Sequence, residues 1–199
     1  MSATTVLRRE HAHILSMIAC LRAACAEAGK AGRLDAETFR TGIDFIRGYA
    51  DAWHHAKEEV HLFPALVAEG MSSESGPIAV MLHEHGTGRN YAKRIASQLD
   101  DAISGDDAAL SAVIHNTLAY ADLLTGHISK ENGVLFNMAD QILTPETQAA
   151  LEREYEKAIP PGADANTGAR YEEAVAALCR KWDIDPQAAA ALGTSFTCG

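Results

Sequence analysis

The sequence predicts an all-α protein: an up-down-up-down four-helix bundle with a C-terminal helical extension. Apolar residues recur at three- and four-residue spacing almost throughout, and period-two stretches bounded by turns are hard to find. The four long periodic stretches are joined by short polar connections, which favours antiparallel neighbours. At 199 residues the chain is long enough to bury a real core.

The first helix covers about 5–29, with Leu7, Ile14, Ile18 and Leu21 on one stripe, and ends in the Gly29–Gly32 region. The second starts at an Asp35 cap and runs to about Gly70, with Phe39, Ile43, Ile46, Phe63 and Leu66 on its apolar face. Pro64 lies inside that pattern and should kink or reset the last turns. The third and fourth helices occupy about 77–100 and 106–141, with polar breaks at Ser72–Gly76 and Ser104–Asp107. Thr144-Pro145 reads as a cap and first helical proline for a helix to about 158, and Pro160-Pro161-Gly162 ends it. A further helix over about 167–182 carries Tyr171, Val175, Leu178 and Trp182, and Asp185-Pro186 opens a short last one. The expected organisation is a bundle over 5–141 and an extension over 142–199 that docks on it.

Composition narrows the function. Hydrophobic residues make up 47% and charged residues 22%, an ordinary globular balance. A formal charge of −10 with no Lys/Arg cluster repels a phosphate backbone, so nucleic acid is not expected as a partner. No run of eighteen apolar residues and no signal-peptide pattern occurs, so no membrane partner and a cytoplasmic location are expected. Cys20, Cys25, Cys179 and Cys198 form no C-x-x-C pair and read as reduced thiols. Nine histidines are the count that stands out.

An internal repeat places those histidines. His54-x3-Glu58-x3-Leu62-Phe63 recurs as His127-x3-Glu131-x3-Leu135-Phe136, displaced by 73 residues, and Glu10-His11 recurs as Glu84-His85, displaced by 74. Residues four apart on a helix lie about 40° apart around its axis, so each His-x3-Glu pair points two donors the same way. His11, His54, Glu58, His85, His127 and Glu131 then converge on the bundle axis from four helices. Burying two carboxylates and four imidazoles costs several kcal/mol per charged group unless cations supply the partner charge. The mixed N/O set suits iron or manganese better than four-coordinate zinc, so two non-haem iron ions with a bridging oxo or hydroxo group are expected. His55 and Glu59 form a second i,i+4 pair rotated by about 100°. The alignment of Leu62-Phe63 with Leu135-Phe136 favours His54 over His55. His61 and Met81 read as non-ligands, Tyr120 as a core residue, and His13, His83 and His115 as solvated. Gly88 should let helices approach closely, and Arg89 should pair with a carboxylate near the site.

At these residues the chain resembles the hemerythrin-like, or HHE cation-binding, domain family. The stretches are His54-His55-Ala56-Lys57-Glu58-Glu59 with Leu62-Phe63-Pro64, Glu84-His85 with Gly88-Arg89, and His127-Ile128-Ser129-Lys130-Glu131-Asn132, and the resemblance covers about 5–141. It implies a four-helix bundle around a non-haem di-iron centre that meets O2, peroxide or nitric oxide as a small-molecule ligand. Oxygen-carrying hemerythrins have a His one turn before the position of His85, where this chain has Met81. Their last ligand is an Asp five residues after the position of His127, where this chain has Asn132 and, one place earlier, Glu131. The Met81 departure implies a more open iron pair, suited to oxidant handling by a peroxide-decomposing or ferroxidase-type enzyme, with no elaborate substrate pocket. The alternative is a non-enzymatic module that senses iron, oxygen or nitric oxide.

Overall fold

The computed structural model describes residues 2–194 except 159, 161, 162 and 165, and every regular element among the described residues is helical. Cys198 lies outside the described residues. The chain forms α1 (Ala3–Ala31), α2 (Ala36–Phe45), α3 (Phe63–Ala68), α4 (Gly76–Ile103), α5 (Asp107–Lys130), α6 (Phe136–Ile142), α7 (Pro145–Lys157), α8 (Thr167–Trp182) and α9 (Pro186–Ala191). Between α2 and α3 the helix continues without a break through two π-wound segments, Ile46–His55 and Glu58–Leu62, and a third, Glu131–Leu135, joins α5 to α6. Four long helical rods result, over 3–31, 36–68, 76–103 and 107–142.

Local chemistry sets the ends. Asp35, Asp106 and Thr144 accept from the backbone N–H three residues on, and Asp185 from that of Gln187, satisfying donors that a first helical turn leaves orphaned. Gly32 closes α1 in the left-handed region at φ 66°, donating its N–H to the Ala28 carbonyl. Pro64 falls at the start of α3, directly after a π turn in which Phe63 N–H reaches the Glu58 carbonyl. The wider turn leaves room for a residue that cannot donate and whose ring crowds the preceding turn. The equivalent turn in the fourth rod repeats this bond, Phe136 N–H to the Glu131 carbonyl, without a proline.

Two apolar cores form. The larger contains Ile14, Ile18, Phe39, Phe45, Tyr49, Ile95, Val113, Leu124 and Ile128; the smaller contains Leu7, Leu62, Phe63, Leu66, Met81, Leu135 and Phe136. On each rod the predicted donors fall between residues of one core and residues of the other, so they make a polar layer between two dry ones. α1 is long and apolar enough by composition to cross a membrane, and 56% of that window is buried within the protein.

The segment after residue 142 packs against the rods. α8 and α9 both lie on α1. The Tyr171 ring packs edge-on against Phe45 and Tyr49, the Trp182 indole donates to Thr38 Oγ1 at 3.0 Å, and Lys181 pairs with Asp35 and Glu37. Cys20 Sγ on α1 sits 3.7 Å from Cys179 Sγ on α8; both are free and buried, as is Cys25. Burial pushes the Cys25 thiol up to about 11 and that of Cys20 higher still, so neither is a ready thiolate.

A Cβ added at Gly42 would stand 2.6 Å from a Leu21 methyl, whereas one at Gly29, exposed in α1, would meet nothing within 4 Å. Gly42→Ala should therefore destabilise by about 1–3 kcal/mol through overpacking, and Gly29→Ala should stabilise by about 0.5–1 kcal/mol by helix propensity. Denaturant unfolding of both variants beside the parent checks the two signs.

Candidate metal centre

The structure brings all six predicted donors into one buried layer and adds a seventh. Two groups of side chains each offer ligand atoms within 4.8 Å of one another: His55, Glu58, His85 and His127, and His11, His54, Glu58 and Glu131. Glu58 belongs to both. Glu131 also spans the two, with one oxygen 3.2 Å from His11 Nε2 and 3.2 Å from His127 Nε2. Glu58 lies 3.8 Å from His54 Nε2 and 3.5 Å from His85 Nε2. The donors are therefore three imidazoles on one side, two on the other, and two carboxylates between.

His55 is the donor that helical spacing missed. At 100° per residue it should point well away from His54, but Ile46–His55 is π-wound, with Ala56 N–H bonded to the Asp51 carbonyl five residues back. Both adjacent histidines consequently enter the core, His54 1% and His55 4% exposed. The His55 ring stacks on His85, centroids 3.8 Å apart and planes at 15°. This corrects the opening expected from Met81, which packs in the smaller apolar core while His55 supplies a third imidazole from another rod.

The internal repeat extends to the partners of the imidazoles. His54 Nδ1 donates to Glu10 at 2.8 Å, and Glu10 also accepts from Lys57 and the Trp53 indole. At the repeated positions His127 Nδ1 donates to Glu84 at 3.0 Å, and Glu84 accepts from Lys130. His85 Nδ1 donates to Glu59 at 2.7 Å, and His11 Nδ1 to Asn132 at 2.9 Å. Phe63 stacks on His85 and Phe136 on His11. Glu59 and Asn132 are again 73 residues apart, so an amide replaces a carboxylate at this one place. His55 has no counterpart, since Ile128 stands at its repeat position; its Nδ1 faces Asp51 at 3.4 Å. Arg89 pairs with both Asp51 and Glu59 at 2.8 Å, as its neighbourhood predicted. A Cβ at Gly88 would be 3.6 Å from Tyr120, ordinary contact, so Gly88 does not provide the close helix approach expected of it.

With the Nδ1 protons held outward, the Nε2 lone pairs face inward, which is the tautomer a metal requires. His11 Nε2, His54 Nε2 and all four oxygens of Glu58 and Glu131 are buried without a hydrogen-bond partner. His85 Nε2 and His127 Nε2 face each other at 3.2 Å. Orphaned acceptors converging on one space are a donor set that bound cations would satisfy. Charge tells the same story: burial and then the Glu131 carboxylate push Glu58 well above the usual range. Burial would raise Glu131 too, but His127 and then His11, each with Nε2 3.2 Å away, outweigh it and hold it well below. Burial lowers His54 to about 4, which keeps it neutral, whereas at His127 burial is outweighed by Glu131 and Glu84, which raise it to about 9.

The remaining histidines lie elsewhere. His83 and His115 are exposed, His13 is half-buried near Glu172, and His61 is half-buried near the Tyr155 ring. A cavity of about 310 Å³ reaches His11 and Asn132, and another of about 560 Å³ reaches His55 and Tyr120.

Because Glu10 and Glu84 hold the His54 and His127 imidazoles of the candidate centre from outside it, Glu84→Ala and Glu10→Ala should each weaken metal binding by about 10–100-fold and leave the helical fold intact. His83→Ala should leave binding unchanged. Competitive metal titration with helicity followed by circular dichroism checks all three.

Among curated proteins and among solved structures, none matches the chain. The family model described as the hemerythrin HHE cation binding domain matches residues 2–139, a stretch that contains every donor of the layer. On that match the chain belongs to the hemerythrin HHE cation-binding domain family.

Proposed function

We propose that the protein is a non-haem di-iron protein that binds and reacts with O2 or hydrogen peroxide, built as an up-down-up-down four-helix bundle with residues 142–199 as an extension docked on it. The observation that carries this reading is the buried set of five imidazoles and two shared carboxylates, in which His11 Nε2, His54 Nε2 and all four carboxylate oxygens are unpartnered. Two iron ions with a bridging oxo or hydroxo group would be held by His55, His85 and His127 on one side and His11 and His54 on the other, with Glu58 and Glu131 shared. A pair of iron ions held there supplies electrons to the oxidant.

The chain's own residues do the rest. Glu58 and Glu131 balance the cationic charge and fix the spacing of the two positions. Glu10, Glu59, Glu84 and Asn132 hold the Nδ1 protons, which locks each ring's orientation. Phe63, Phe136 and the smaller apolar core exclude water from one side of the layer. Buried thiols at Cys20, Cys25 and Cys179 suit a reducing cytoplasm.

A second reading, a sensing module responsive to iron, oxygen or nitric oxide, draws support from Asn132. Its Oδ1 accepts from His11 while its Nδ2 reaches the Gly193 carbonyl at 3.4 Å, which ties the layer to the tail. An amide can take both roles and a carboxylate cannot, which gives a reason for Asn where the repeat has Glu59.

Metal analysis of untagged protein from iron-replete medium should find about two irons per chain and a near-ultraviolet charge-transfer band when oxidised. A single four-coordinate zinc, or no metal, would refute the proposal. Multi-turnover loss of peroxide marks an enzyme; one equivalent consumed per iron pair, with altered proteolysis of the tail, marks a sensor.

A further inference from the structure

The cavity of about 560 Å³ beside His55 has a chemistry the metal layer does not use. Its wall is apolar, formed by Ile46, Ala92, Ala96 and the ring of Tyr120, and its volume lies within the range that encloses small organic ligands. Its mouth is cationic: Arg47 from the second rod and Lys93 from the third face it, and neither makes an ion pair among the described residues. The third cation there, Arg89, is paired with Asp51, the one carboxylate that lines the cavity, and with Glu59, so the Asp51 charge is offset within the lining. On a chain of net charge −10, two unpaired cations at the mouth of an apolar cavity run against the general field. An elaborate pocket was not expected from the sequence, because its wall draws on residues 46, 92, 96 and 120, which no local pattern links.

We infer that this cavity is a binding site for a small organic monoanion with a short apolar body. The carboxylate lies between Arg47 and Lys93, and the body lies along Ile46, Ala92, Ala96 and Tyr120. Charge at the mouth selects the anion and the dry wall selects the tail, so neither half of the molecule suffices alone. Because His55 closes the inner side, such a ligand would sit against the donor that breaks the internal symmetry. The inference stands on the cavity and needs no particular metal in the layer.

Titration calorimetry on the protein as purified, with octanoate, acetate and 1-octanol as probes, tests this. Octanoate should bind one-to-one, and acetate and 1-octanol at least about tenfold more weakly. Arg47→Ser with Lys93→Ser should weaken octanoate by about tenfold or more and leave 1-octanol unaffected. Ala96→Phe, which fills the cavity, should abolish octanoate binding with the same metal content and melting profile. No octanoate binding to the parent, equal affinity in the double variant or in Ala96→Phe, or acetate as tight as octanoate would each overturn the site. Metal content, measured in parallel, reports on the di-iron reading separately.

Discussion

Two carboxylates with no exposed surface, Glu58 and Glu131, stand side by side at the centre of the molecule, and the fold is arranged around their charge. Each ion taken out of water costs several kcal/mol even after relaxation, and two like charges in one dry space cost more. No Lys or Arg reaches them among the described residues; what surrounds them is imidazole nitrogen. The helices must therefore bring cations or protons to the same place. That requirement accounts for a polar layer running through otherwise apolar rods, and for the two separate cores above and below it.

Around that layer lies a second ring of polar side chains that holds four of the five imidazoles by Nδ1. Glu10 with Lys57 and Glu84 with Lys130 are the same device built twice, each serving the imidazole of a neighbouring rod. A duplicated unit would make two equal metal positions. Two substitutions break the equality: His55 against Ile128 adds a nitrogen to one side, and Asn132 against Glu59 changes the partner on the other. One group of donors thereby holds three imidazoles, and the other holds two and a link to the tail.

Much of this arrangement is legible in the sequence because it is local or periodic. Asp35, Asp106 and Thr144 announce helix starts through hydrogen bonds spanning three residues. The 73-residue repeat singles out His54, Glu58, His127 and Glu131 without any structure, since an exposed ion pair would have no reason to recur in register with Leu-Phe. His55 escaped because an α-helical wheel assumes 100° per residue, and the π winding that turns it inward leaves no mark in composition. The Asp51-x3-His55 pair next to His54 was the available clue. Glu10 and Glu84 were seen as neighbours of ligands, but their role lies across to another rod, and contacts between rods are not written in either one alone.

His11 bonds to Asn132 across 121 positions of sequence, so the first and fourth rods must come together before the layer is complete. Helices form from local contacts within microseconds, but closing so long a loop comes late and slowly. During synthesis the first two rods emerge carrying three imidazoles and a single interior carboxylate, an unfinished nest with weak hold on any cation. Only when the fourth rod arrives with His127 and Glu131 is the set complete. The whole donor set thus exists only in a chain whose first and fourth rods have met, so the layer is a signature of correct closure.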